Sequence, residues 1–110
     1  MATSYKVLGQ SSPLSGNNTT LYTVPTSTEA IVSTITVANR GTVGTSYRIA
    51  VRPDGASIAL QHYIAYDVTL DKNSTQALTF GLTMNAGDIL TVYASSSEVS
   101  FNAFGTEITA

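Results

Sequence analysis

The chain has 110 residues, 7 acidic and 5 basic, for a formal net charge of −2. One domain of that length buries about 65% of the surface its unfolded chain exposes, enough for a core without staples, and leaves no room for a second core. The absence of cysteine excludes a disulfide framework and a thiolate metal site, and the acidic balance argues against a nucleic-acid partner, which calls for a basic stripe.

Charged residues are 11% of the chain, while Ser and Thr fill 30 positions. An ordinary soluble domain carries about 25% charge. An exterior coated with hydroxyls has little repulsion between copies and tolerates close assembly. Thr also simply suits strands, so composition leaves both readings open. Met1 to Lys6 carry no apolar stretch, so no secretory signal is expected, and no apolar run approaches a membrane span. The expectation is synthesis in a cytoplasm and no membrane partner.

Residues 1–4 read as a short arm and Tyr5 to Gln10 as a first strand, with Tyr5 and Val7 on one side. Ser11 to Asn18 gathers Ser, Pro, Gly and Asn into a loop. Thr19 to Val24 is a second strand, stopped by Pro25, which has no amide hydrogen for a ladder. Ala30 to Pro53 then holds two β-branched runs separated by Gly41-Thr42-Val43-Gly44, the pattern of a central antiparallel hairpin. Alternation in the first run puts Ile31, Ile35 and Val37 on one face and Val32 on the other. In the second it puts Tyr47, Ile49 and Val51 on the core face, with Ser46, Arg48 and Arg52 on the wet face.

Pro53-Asp54-Gly55 is a turn. A strand is expected at about Leu60 to Tyr66, a break at Asp67 and a short strand after it, then a polar turn at Asp71 to Ser74. Thr75 to Thr83 alternates with Leu78, Phe80 and Leu82 inward; Asn85 to Asp88 turns again; Ile89 to Ser95 is a further strand. Val99 to Thr109 is the last, with Phe101 and Phe104 on opposite faces. About eight short strands without helical period predict a single all-β domain over 1–110, an antiparallel β-sandwich of jelly-roll or Ig-like type, with a small closed barrel as the alternative. Its sheet edges need cover, and partner subunits are one way to supply it.

Catalytic chemistry is hard to assemble from these residues. His62 is the only histidine, so a multi-histidine metal site cannot form. A triad from His62, Asp67 or Asp71 and a serine is conceivable on residue types alone, but a strand histidine bonded to the sheet is the simpler reading. Asp67, Asp71 and Asn73 lack the alternating carboxylates and Gly of a calcium loop. Asn17, Asn18 and Asn73 open Asn-X-Ser/Thr triplets, which matter only along a secretory route. No enzyme, cofactor or metal is expected. Arg40, Arg48 and Arg52 form the one group of positive charge and are the candidate partner contacts. Tyr22, Tyr47, Tyr63, Tyr66 and Tyr93 are candidates for a carbohydrate or partner surface, with a core-edge role as the plainer account.

Nearly end to end, the chain resembles a family of small virion structural proteins from tailed phages, especially those infecting cyanobacteria. The resemblance is carried by Ser4-Tyr5-Lys6-Val7-Leu8-Gly9-Gln10, Leu21-Tyr22-Thr23-Val24-Pro25, Thr36-Val37-Ala38-Asn39-Arg40 and Arg48-Ile49-Ala50-Val51-Arg52-Pro53, then by His62-Tyr63-Ile64, Val92-Tyr93-Ala94-Ser95 and Phe101-Asn102-Ala103-Phe104-Gly105. It implies a virion location. With small size and low charge it points to a homo-oligomeric capsid decoration or cement protein bound to the major capsid protein or another virion protein. A neck, baseplate or tail-fibre attachment module and a host-glycan-binding head are the alternatives.

Overall fold

A computed structural model describes residues 2–109. The strands are β1 (Ala2–Ser11), β2 (Thr19–Thr23), β3 (Thr28–Asn39), β4 (Thr45–Arg52), β5 (Tyr63–Leu70), β6 (Thr75–Met84), β7 (Ile89–Ala94) and β8 (Val99–Thr109). Short 3-10 turns at Pro53–Gly55 and Leu60–His62 are the only helical pieces among the described residues. The first sheet runs β1-β8-β3-β6 and the second β2-β7-β4-β5, every pair antiparallel. Two four-stranded sheets in this order are the double Greek key of a jelly roll. The Ig-like arrangement, which groups its strands differently, and the closed barrel are both set aside.

The core lies between the sheets, as strand alternation requires. Val32, Ile35, Val37, Phe101 and Ala103 from the first sheet face Tyr47, Ile49, Leu90, Val92 and Ala94 from the second. At its centre the Tyr47 and Phe101 rings meet edge to face, with centroids 6.2 Å apart. The Tyr47 hydroxyl crosses the core and donates to Gln76 Oε1 on β6, which satisfies a polar tip that burial would otherwise strand. The predicted faces of β4 hold, and Phe101 and Phe104 do point to opposite sides of β8.

Two expectations fail, for different physical reasons. β3 and β4 do not form a hairpin: they belong to different sheets, and residues 40–44 carry the chain across the sandwich. Asn39 fixes that corner. Its buried amide donates to the carbonyls of Val43 and Asp71 at 2.9 and 3.2 Å, and its Oδ1 accepts from the Gly41 N–H. The faces of β3 also differ from simple alternation. Val32 is fully buried and Ile31 is 38% exposed, the reverse of the expectation. Against β8 the register shifts between Val32 and Thr34, where Ser33 is an extra residue that reverses the inside–outside phase of everything before it, while β6 carries two residues, Phe80 and Gly81, across the same gap. Its hydroxyl donates to the Phe104 carbonyl.

Smaller differences follow the same logic. Ala2 to Ser4 are not an arm but pair with Glu107 to Thr109; Met1 lies outside the described residues. The predicted break at Asp67 is a bulge inside a continuous β5, with Asp67 at φ 51°.

Candidate functional site

The three arginines do not form one patch. Arg40 sits at the sheet-crossing corner, where Nε donates to Ser100 Oγ and Nη2 to Ser12 Oγ, both at 2.8 Å, and Glu98 lies 3.8 Å away. Arg48 and Arg52 share the outer face of β4, four residues and so roughly 13 Å apart. Arg52 Nε is buried there without a hydrogen-bond partner, as is Thr91 Oγ1 on neighbouring β7.

Arg48 is held on that face by two aromatic rings and a carboxylate. Its guanidinium lies 4.3 Å from the Tyr66 ring centroid and 4.4 Å from that of Tyr93, and Nε donates to Asp67 Oδ1 at 2.6 Å. The Asp67 hydrogen bond tightens its hold on the proton. The β5 bulge makes this possible, because two residues, Tyr66 and Asp67, oppose one on β4. Tyr63 closes the cluster edge-on against Tyr66, with centroids 4.8 Å apart. The result is a clasp over β7, β4 and β5 whose charge is paired and whose rings are already stacked.

His62 Nδ1 accepts the Ala59 N–H at 3.1 Å within the 3-10 turn, while the Asp67 carboxylate is engaged by Arg48. Among the described residues, the His62 side chain has no hydrogen bond to Asp67, Asp71 or a serine. No cluster of three or more His, Cys, Asp or Glu side chains able to hold a metal occurs among the described residues. No helix among them is long and apolar enough to cross a membrane.

The outer face of the first sheet is mostly Thr, Ser and Asn, with a few large apolar side chains set among them. β1 contributes Tyr5, 83% exposed, and Val7, 48% exposed; β3 contributes Ile31; Phe104 and Ile108 of β8 lie between them, half-buried. Register groups them across three strands, with Thr106 between Tyr5 and Ile31, Val7 opposite Phe104, and Ile108 between Thr3 and Glu29. Beside them, an open hollow is lined by Glu29, Ile31, Thr83, Asn85 and Ile108. Singly exposed apolar residues are normal; several on one face single it out as the candidate contact surface. The bulge at Ser33 creates part of it by turning Ile31 outward.

No family model matches the chain, and no curated protein matches it.

At one end of the sandwich a polar network ties the sheets together. Glu107 on β8 is buried, accepts from the Tyr22 hydroxyl of β2 at 2.5 Å, and pairs with Lys6 of β1 at 2.7 Å. The Lys6 hydrogen bond, then that of Tyr22, lowers the pKa of Glu107. Burial first, and Glu107 second, push the Tyr22 hydroxyl well above its usual range. Unfolded glutamate takes up its proton near pH 4.3, and folded Glu107 does so only at lower pH. The unfolded state thus binds more protons in that window, and stability falls as pH drops through it. Glu107→Gln is expected to lose roughly 2 kcal/mol at pH 7, because a charged hydrogen-bond acceptor becomes neutral. The deficit should shrink below pH 4, as urea melts across pH 3 to 7 will show; a deficit independent of pH would place the stability elsewhere.

Proposed function

We propose that this protein is a virion structural protein of a tailed phage, a decoration or cement protein seated on the major capsid lattice through the outer face of β1, β8 and β3. The observation that carries the reading is the grouping of exposed Tyr5, Val7 and Ile31 on one broad face of a slab measuring 45 × 27 × 19 Å. Low charge and a hydroxyl-rich exterior suit it, since a modest contact repeated over a symmetric lattice gains through effective concentration. The jelly roll is shared by capsid proteins, lectins and cupins, so fold alone does not choose among them. The sequence resemblance to virion structural proteins favours the capsid reading among them. A glycan-binding head has less in its favour, because Tyr66 already lies against Arg48 and Tyr63.

Ile31→Lys tests the seat. Ile31 is partly exposed, so the variant should fold with an unchanged melting curve, while its copy number on purified particles falls at least roughly tenfold, since a lysine must be desolvated at the contact. Quantitative gels and cryo-EM of particles give the count. A handful of wild-type copies would move the protein to the neck, baseplate or fibre, and a particle lacking it would end the reading.

A further inference from the structure

An antiparallel sandwich has four edges, and three are protected in recognisable ways. β2 is five residues long, is shifted in register at Leu21 and is followed by Pro25 two residues on. β5 is bulged at Asp67, whose charge and φ of 51° spoil a flat ladder. β6 is interrupted at Phe80 and Gly81, the latter at φ 92°. The fourth edge differs: β1 is shifted only at Leu8, beyond its exposed first half. From Ala2 to Val7, β1 pairs with Phe104 to Thr109 of β8 without a register shift, contains no proline and carries one charge, Lys6. Its residues from Ala2 to Val7 are exposed.

We infer that β1 pairs antiparallel with β1 of a second copy across a two-fold axis, joining two four-stranded sheets into one of eight. Opposed residues in an antiparallel ladder share a face, so a two-fold axis allows only certain registers. Centring the axis on Lys6 would oppose two like charges, which is unfavourable. Centring it on Tyr5 sets Tyr5 against Tyr5, Thr3 against Val7 and Ser4 against Lys6. That register pairs an exposed aromatic with its equivalent, places Val7 beside a threonine methyl, and leaves each lysine facing a hydroxyl and free to keep Glu107. It also brings the exposed tyrosines of the two copies together on the same outer face. Self-complementarity of this kind is what an isologous contact requires, and it identifies the occupant as a second copy rather than a foreign strand. The inference shares Tyr5 and Val7 with the capsid reading, but its test is made on the isolated protein, and its failure leaves the Ile31 test on particles untouched.

The chain has no cysteine, so introduced thiols report cleanly. Directly opposed residues lie about 4.5 to 5.5 Å apart between Cα atoms, within disulfide reach. Tyr5→Cys should give a covalent dimer on mild oxidation at least about tenfold faster than Val43→Cys, an exposed control on the corner. Thr3→Cys alone should not cross-link, and Thr3→Cys with Val7→Cys should. In sedimentation equilibrium the wild type should dimerise, and Tyr5→Lys should weaken the dimer roughly tenfold or more by opposing two ammonium groups. Circular dichroism will verify that the variants fold. A wild type monomeric into the high micromolar range, Tyr5→Cys cross-linking no faster than the control, or a dimer indifferent to Tyr5→Lys would each overturn the inference.

Discussion

Ile49→Asp is expected to leave no folded domain at neutral pH. Ile49 is fully buried on β4 between Val92 of β7 and Ala65 of β5, facing the opposite sheet. No cation lies on the core side of its strand, because Arg48 and Arg52 take the other face. A carboxylate there is stripped of water without a partner, at a cost of at least about 4 kcal/mol, a large share of what holds a domain of this size. The pH dependence separates charge from shape. Burial would raise the folded pKa of the new Asp above the unfolded 3.9, so its penalty grows as pH rises through that value and is smallest in acid. Ile49→Asn, similarly polar but uncharged, should destabilise without that trend. On the wet face of the same sheet, Thr69→Asp should stay within about 0.5 kcal/mol of wild type. Urea melts of the three decide it; equal losses would show that the two faces had been exchanged.

That contrast rests on a pattern legible in the order of the residues alone. Along β4 and β8 the two-residue period of apolar side chains places Tyr47, Ile49 and Phe101 in the core, because nothing local disturbs the pleat. β3 shows the limit. One extra residue at Ser33 inverts the phase, and a serine among β-branched residues looks alike as a bulge or as a polar interruption. The corner at residues 40–44 shows another limit. Gly-Thr-Val-Gly suits a hairpin as well as a crossing, and the choice is made by the Asn39 side chain, which holds carbonyls from the following loop and from the β5–β6 turn. The Asp71 carbonyl lies 32 residues away and leaves no local trace.

The polar features divide in the same way. Arg40, Arg48 and Arg52 are neighbours along the chain but serve a corner, a clasp and a strand end. The Lys6–Glu107–Tyr22 network joins residues from both ends of the chain, and local pattern does not pair them. One signal for it exists: Glu107 keeps the inward phase of Phe101, Ala103 and Gly105, and a carboxylate at a core position calls for a partner. The exposed apolar grouping is visible in sequence as Tyr5 and Val7 on one side of a first strand, but Ile31 joins them only through the bulge.

Gly105→Ala should be the second severe change, although it adds one methyl group. Gly105 opposes Val32 on β3, next to the Ser33 bulge, and a Cβ there would overlap the backbone carbonyl oxygen of Ile31 and stand 3.1 Å from Leu8 Cδ1. The leucine methyl can swing aside; the carbonyl cannot, because it belongs to the central β3–β8 ladder. Relief requires parting those strands, at an expected cost of about 3 kcal/mol or more. One kcal/mol moves the midpoint of a domain this size by roughly 4 to 8 °C, so the melting temperature should fall by about 12 °C at least. Gly16→Ala provides the comparison. Gly16 has φ 77° with open space around its Cβ position, so only the left-handed backbone is penalised, by roughly 1 to 2 kcal/mol. If both variants melt alike, β3 and β8 can separate at the bulge without loss. Ile31 would then owe its outward position to something other than a close-packed pair of strands, and the apolar grouping it helps to build would be a flexible feature rather than a fixed one.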